Sequence, residues 1–265
     1  MKSPCLSLLQ VTDLHILPAF ENTLLGVQTE RFFYDVLANA FEQRKHYDLL
    51  ILTGDLAQSP CFESYQRIFQ KIENHKIPAR CLAGNHDNYE LMQQVFNTPE
   101  INCQKQTCFG NWQILTLNSQ IIGSEKGRLA QTELDFLETC LNERSDLFTL
   151  IALHHNCLST NSAWLDTMQI ENSDVFLNMV AQFPNVKAIT TGHIHQEMDR
   201  KWGDISIFGT PSTCFQFSLN SANFKMDRTP SGYRIIDLYD DGSVRTNVLR
   251  LDVKMEELEL DSEGY

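Results

Sequence analysis

Short apolar runs recur along the chain, and each gives way to a polar tip: SLLQVTDLH (7–15), YDLLILTGD (47–55), ARCLAGNHD (79–87), FTLIALHH (148–155) and VKAITTGHIH (186–195). Runs of this length and composition predict buried strands. Between them the period lengthens. In TERFFYDVLANAFEQR, Phe33, Leu37, Ala40 and Phe41 recur at helical spacing, and in SPCFESYQRIFQKIENH, Tyr65, Ile68, Phe69 and Ile72 line one helix face. Ser59 is the expected N-cap of that second helix, with Pro60 as its first residue. LAQTELDFLETCLNER and NSDVFLNMVAQF repeat the helical pattern. Strand and helix alternate, which predicts an α/β fold. The last third reads differently: ISIFGTPSTCFQFSL and GYRIIDLYDDGSVRTNVLRL alternate as strands, with Asp241-Gly242 as a hairpin turn, and so add antiparallel strands. With no repeat, low-complexity stretch or flexible linker to divide it, the chain is expected to form one domain over residues 1–265. Residues 252–265 are expected to be an acidic tail, solvated or frayed.

The strand tips carry similar chemistry: Asp13-x-His15, Gly54-Asp55, Gly84-Asn85-His86-Asp87, His154-His155 and Gly192-His193-x-His195. In α/β folds the carboxyl ends of strands gather at one edge, so five tips can build one site. An extended backbone would point His193 and His195 the same way. Each motif alone has a bland reading: a strand-end cap, a tight turn, or a buried histidine bonded to a carbonyl. The bland readings do not explain five of them together. Carboxylates, imidazoles and a neutral amide without thiolate suit manganese, iron, zinc or cobalt in five- or six-coordination. Seven such groups exceed one ion's needs, whereas two ions sharing a bridging carboxylate would use them all. Neighbouring strand residues point oppositely, so His155 is expected to face away from His154 or give a supporting contact. His46 and His75 fall at helix ends and read as structural. The aromatics of TPSTCFQF and the strand-end Asn118 are read as structural, with no base contact assigned to them.

The 265 residues carry a formal charge of −13, which disfavours nucleic acid and anionic membranes as partners but permits a small anionic substrate beside bound cations. No apolar stretch is long enough to span a membrane. The N-terminal MKSPCLSLLQVTDLHIL has too brief an apolar stretch for a signal peptide and reads as the first core strand. Eight scattered cysteines without a CxxC pair suggest reduced thiols and a cytoplasmic setting; Cys103 and Cys108 make a poor zinc site without nearby histidines. Neither a GxSxG elbow nor a P-loop is present.

The ordered blocks D-x-H, G-D, G-N-H-D, H-H and G-H-x-H resemble those of the calcineurin-type metallophosphoesterases from about residue 8 to 217. GHIHQEMD, TPSTCFQFS, NFKMDRTPSGYR and the terminal DSEGY extend the likeness to the bacterial class III 3',5'-cyclic-AMP phosphodiesterases. The chain departs from that pattern after the histidine pair, where Asn156-Cys157 replaces the expected prolines. The resemblance implies a four-layer α/β/β/α sandwich with mixed sheets. It also implies two metal ions, iron and/or manganese with zinc, cobalt or magnesium as alternatives. Asp13, His15, Asp55 and His195 would hold one ion and Asp55, Asn85, His154 and His193 the other, with Asp55 bridging. The implied reaction is in-line attack of a metal-bridging hydroxide on 3',5'-cyclic AMP to give 5'-AMP, lowering the second messenger. The substrate phosphate would rest against His15, Asp55, Asn85, His86 and His195. His86 is the expected proton donor to the leaving ribose oxygen, and Asp87 the expected partner orienting its imidazole. A broader phosphodiesterase acting on 2',3'-cyclic nucleotides or other esters is the alternative. A DNA nuclease is disfavoured by the acidic charge, and a non-catalytic scaffold by the complete ligand set. Oligomeric state is left open.

Overall fold

The apolar runs form the strands expected of them. The computed structural model describes residues 4–262 and 264; Met1–Ser3 of the N-terminal stretch, and Glu263 and Tyr265 of the terminal DSEGY, lie outside the described residues. The first part of the chain runs β1 (Leu6–Val11), α1 (Thr29–Gln43), β2 (Leu49–Thr53), α2 (Phe62–Glu73), β3 (Ala79–Leu82), α3 (Tyr89–Val95) and β4 (Ile101–Asn102). The second runs β5 (Gln106–Phe109), β6 (Trp112–Thr116), α4 (Gln131–Glu143), β7 (Phe148–Leu153), α5 (Ser173–Val180), β8 (Val186–Thr191), β9 (Met198–Trp202) and β10 (Ile205–Gly209). A short ribbon, β11 (Gln216–Phe217) with β12 (Met226–Asp227), precedes the hairpin β13 (Gly232–Leu238) and β14 (Val244–Arg250).

Two six-stranded sheets result, in the orders β14-β13-β1-β2-β3-β4 and β5-β6-β7-β8-β10-β9. Strands β1 to β4 are parallel, as are β6, β7, β8 and β10. The β13–β14 hairpin joins the first sheet by antiparallel pairing to β1, through a turn in which Gly242 adopts φ 78°. Parallel strands buried on both faces need apolar side chains in both directions, which explains the near-continuous runs. Leu9, Leu50 and Leu52 pack under α1 to α3 against Phe33, Leu37, Ile68 and Ile72. Ile151, Leu153 and Ile189 pack under α4 and α5 against Leu134, Leu137, Phe176 and Val180. The alternate residues Leu8, Leu49 and Ile51 meet Trp112, Ile114, Leu150 and Ala188 between the sheets. Three cores therefore separate four layers, α/β/β/α, as expected.

Two local expectations need correction, and one helix has no counterpart in the sequence reading. Helix α2 begins at Phe62 with Cys61 as its N-cap, because the Ser64 hydroxyl accepts the Cys61 N–H at 3.3 Å and closes the first turn there, beyond Ser59 and Pro60. Helix α3, capped by the Asn88 side chain accepting from Leu91 N at 3.0 Å, was not anticipated; with only Met92 fully buried it has almost no periodic signal. The described part of the acidic tail is docked rather than frayed. Met255 and Leu258, three apart, insert beside Val27, Phe215 and Met226, while Glu259 N–H donates to the Leu25 carbonyl at 3.1 Å. Its acidic side chains Glu256, Glu257 and Glu259 stay in solvent.

Trp112, wholly buried between the sheets, also donates Nε1–H to the Tyr239 carbonyl at 2.9 Å. Trp112→Ala removes both contributions and should lower unfolding free energy by about 3–5 kcal/mol in a denaturant titration. Leu258→Asp should lower Tm by several degrees, since it places a carboxylate where Leu258 is 3% exposed; an unchanged Tm would mean the segment is not docked.

Candidate metal centre

All five polar tips lie immediately after strand carboxyl ends: Asp13 and His15 after β1, Asp55 after β2, Asn85 and His86 after β3, His154 after β7, and His193 and His195 after β8. Parallel pairing puts the first three tips side by side on one sheet and the last two on the other. The two sheets join at Gly192, where an added Cβ would lie 2.0 Å from Thr12 Oγ1 and 2.8 Å from the Thr53 carbonyl oxygen. No other residue type fits this approach.

The expected extended geometry does not hold at the tips. Asp13, His15, Asp55, His193 and His195 all have positive φ, between 45° and 66°, and Ile194 N–H turns back to the Gly192 carbonyl at 2.8 Å. Histidine and aspartate tolerate this region better than most residues, and a non-glycine residue there is held by its surroundings. The turn sends the two histidines to different places. His193 joins His154 and His155, and His195 joins Asp13 and His15; within each group the ligand atoms lie within 4.8 Å of one another. Asp55 belongs to two further groups, with His15 and His86 on one side and with Asp13 and His154 on the other. The structure therefore brings together all of Asp13, His15, Asp55, Asn85, His86, His154, His193 and His195.

The hydrogen bonds behind the cluster set the imidazole tautomers. His195 Nδ1 lies 2.8 Å from the Phe215 carbonyl oxygen and His154 Nδ1 lies 2.8 Å from that of Thr53, so in each ring Nδ1 carries the proton. His15 Nδ1 meets Gln58 Oε1 at 2.7 Å in the same sense. Their Nε2 atoms then face one another and the carboxylates. His15 Nε2 is 3.2 Å from His195 Nε2, His195 Nε2 is 3.4 Å from Asp13 Oδ1, and His154 Nε2 is 3.3 Å from Asp55 Oδ2 and 3.1 Å from Asn85 Oδ1. His193 Nε2 is buried without a hydrogen-bond partner. A buried convergence of acceptors is unfavourable unless positive charge sits among them. The donor set therefore fits two cations.

Electrostatics favour the ligand forms of Asp13, His15, Asp55 and His193. Burial opposes ionisation of Asp55, yet His154, His86 and His15 hold its carboxyl well below the usual range. Burial likewise works against ionised Asp13, and His195 outweighs it. Burial drives His15 down to about 3 and, with His155 and His154 adding to it, depresses His193 strongly, so both are neutral. His154 goes the other way, to about 9, because Asp55 and Asp13 overcome its burial. A proton there supplies the positive charge that a cation would otherwise bring.

The surrounding residues hold these tips in place. Thr12 Oγ1 donates to Asp13 Oδ2 at 2.7 Å, His193 N–H donates to the same oxygen at 3.0 Å, and His86 N–H donates to Asp55 Oδ1 at 2.9 Å. Asp87 does not orient His86 as expected. Its carboxylate accepts from Leu56, Ala57 and Gly84 N–H and from the Tyr65 hydroxyl at 2.9–3.1 Å, tying the β2 and β3 tips together, and burial followed by Asp55 raises it to about 6. His155 gives its Nδ1 to a contact with Ser119 Oγ at 2.8 Å and packs 4.7 Å from the His193 ring. Gln58 and Gln120, whose Nε2 donates to the Gly84 and Asp87 carbonyls at 2.8 and 2.6 Å, were not singled out from the sequence; a lone glutamine carries no signal there. Asn85, His86 and His193 open onto a pocket of about 200 Å³ also lined by Trp164, Met168, Phe217 and Phe224. Phe215 and Phe217 are core residues, as read from the sequence. All eight cysteines are free, including Cys103 and Cys108.

A profile of the calcineurin-like phosphoesterase family matches residues 6–197. The chain is 38% identical to a 3',5'-cyclic adenosine monophosphate phosphodiesterase CpdA of Haemophilus influenzae, over 100% of this chain and 97% of that one. It is 36% identical to a 3',5'-cyclic-nucleotide phosphodiesterase of Nostoc, over 93% and 92%. Among solved structures, a dimetal phosphatase from Danio rerio superposes with a TM-score of 0.66 over 94% of this chain and 99% of that chain, at 12% identity, a likeness of fold. With its strand-end ligand blocks, four layers and matched profile, the chain belongs to the calcineurin-like phosphoesterase family.

Proposed function

We propose that this protein is a cytoplasmic, single-domain, metal-dependent phosphodiesterase that hydrolyses 3',5'-cyclic AMP to 5'-AMP and so lowers a second messenger. The observation that carries the reading is the pair of Nε2 atoms of His15 and His195, 3.2 Å apart and buried, each with Nδ1 committed to an oxygen behind it. The printed activities of relatives matched over nearly their whole length support the substrate, and eight free cysteines accord with a reducing compartment. No described helix is long and apolar enough to cross a membrane.

Asp13, His15, Asp55 and His195 would hold one cation and Asp55, Asn85, His154 and His193 the second, with iron and/or manganese suited to this oxygen and nitrogen set. Such cations, when bound, supply an acidified water and a clamp on the phosphate oxygens. The chain's own groups do the rest. Asp55, held by the His86 N–H, keeps the two half-sites in register. The Phe215, Thr53 and Gln58 oxygens keep His195, His154 and His15 presenting Nε2. His86, half-buried and 5.1 Å edge-on from His15, borders the pocket and donates a proton to the departing ribose O3'. Asn85, beside it, presents its amide to the same pocket.

The metal-replete protein should convert 3',5'-cyclic AMP to 5'-AMP, lose that activity under chelation, and turn over 2',3'-cyclic AMP more slowly when the two are assayed side by side. No turnover of 3',5'-cyclic AMP after reconstitution with manganese and iron would overturn the reading. His86→Ala should lower kcat by roughly 10²–10⁴-fold while metal content, measured by elemental analysis, stays at the wild-type level.

A further inference from the structure

A sixth strand ends at the same edge as the five ligand-bearing tips. β6 pairs in parallel with β7, and Leu117 N–H continues that pairing to the Ala152 carbonyl at 2.9 Å, so Asn118, Ser119 and Gln120 emerge beside His154 and His155. The turn they form is anchored. Asn118 N–H donates to Glu133 Oε2 of α4 at 3.0 Å, and Asn118 Oδ1 accepts the Gln120 backbone N–H at 2.9 Å. The Ser119 carbonyl accepts Arg128 N–H at 2.9 Å, and its hydroxyl meets His155 Nδ1 at 2.8 Å. From this base the Gln120 side chain crosses to the other sheet, where Nε2 donates to the Gly84 carbonyl at 2.8 Å and to the Asp87 carbonyl at 2.6 Å.

Those two carbonyls are the first and last of the Gly84-Asn85-His86-Asp87 turn. A primary amide offers two N–H groups and no charge, so it holds both ends at once, whereas lysine or arginine would do so only by adding positive charge beside the metal-ligand cluster. The Asp87 carboxylate grips the same turn from the first sheet, through Gly84 N–H, Leu56 N–H and the Tyr65 hydroxyl. Gln120 is its counterpart from the second. Between the two held ends stand Asn85, whose Oδ1 is 3.1 Å from His154 Nε2, and His86, whose N–H is 2.9 Å from Asp55 Oδ1 and whose side chain borders the pocket.

We propose that Gln120 is a positioning residue for His86, fixing both ends of the turn that carries it to the opposite sheet. The inference rests on the phosphodiesterase reading, in which His86 protonates the departing ribose oxygen, and adds a residue remote from the reacting atoms that sets where the imidazole stands. Gln120 is not among the residues lining the pocket, so its effect falls on kcat rather than on KM. Displacing a catalytic group by about 1 Å can cost on the order of a hundredfold in rate, and loss of both Gln120 bonds should cost part of that.

The test compares wild type, Gln120→Met, His86→Ala and the double variant on 3',5'-cyclic AMP and on bis(p-nitrophenyl) phosphate, whose nitrophenolate departs without a proton. Gln120→Met keeps the length of the side chain and removes both donors. It should lower kcat for cyclic AMP roughly tenfold at nearly constant KM. The loss should shrink to less than about twofold on the nitrophenyl diester, and likewise on cyclic AMP when His86 is already alanine. Metal content by elemental analysis should match wild type, and hydrogen exchange of the backbone amides of residues 84–87, read by mass spectrometry, should quicken. An equal loss on both diesters, or the same loss with and without His86, would mean that Gln120 serves the fold or Asn85 instead; the proposal then fails while cyclic AMP hydrolysis by wild type keeps the phosphodiesterase reading. Unchanged exchange sinks the proposal whatever the substrate. If wild type leaves cyclic AMP intact, the phosphodiesterase reading falls and the role of Gln120 in proton transfer with it. Should Gln120→Met fail to fold, Gln120→Asn, which carries the same donors on a chain one methylene too short, is read in the same comparison.

Discussion

Buried acceptors do not face one another without positive charge between them. At the strand ends of this protein, Nε2 atoms of His15, His154 and His195 converge on the carboxylates of Asp13 and Asp55, with backbone oxygens behind two of the rings holding the proton on Nδ1. Much of the surrounding architecture makes that convergence possible. Left-handed backbone at five of the tip residues aims side chains that a strand would send elsewhere, and such conformations persist only where packing and hydrogen bonds over-determine them. Three apolar cores on either side of and between the sheets provide that rigidity.

The sheets also have to approach closely enough to share the cluster. Gly192 lets the second sheet's β8 tip meet Thr12 and Thr53 of the first, and Gly84 lets its loop close on Asp55, where a Cβ would sit 2.1 Å from Oδ1. Asp87 then ties two loops of one sheet together through three backbone N–H groups and a tyrosine hydroxyl. Its role is positional rather than electrostatic. The same glycines that look like ordinary turn formers in the sequence are contact points between layers.

The layers were legible in the sequence because burial on both faces writes itself as continuous apolar runs, and the ligand set because its residue types cluster at the ends of those runs. What was illegible follows from physics with no local signature. The direction of His193 and His195 depends on φ at two residues, and a strand-like reading sends both to one point where the fold sends them to two groups. The partner of Asp87 is chosen by loops thirty residues away. The docking of Met255 and Leu258 was present as an i, i+3 apolar pair but was outweighed by the acidic residues around it, which remain in solvent as the charge requires. Helix α3 buries so little that only its Asn88 cap announces it.

Phe217 stands with one face on His195 and its edge on Trp164, a single ring between two neighbourhoods. Truncating that ring therefore removes a contact of a candidate metal ligand and a contact of the pocket wall in one step.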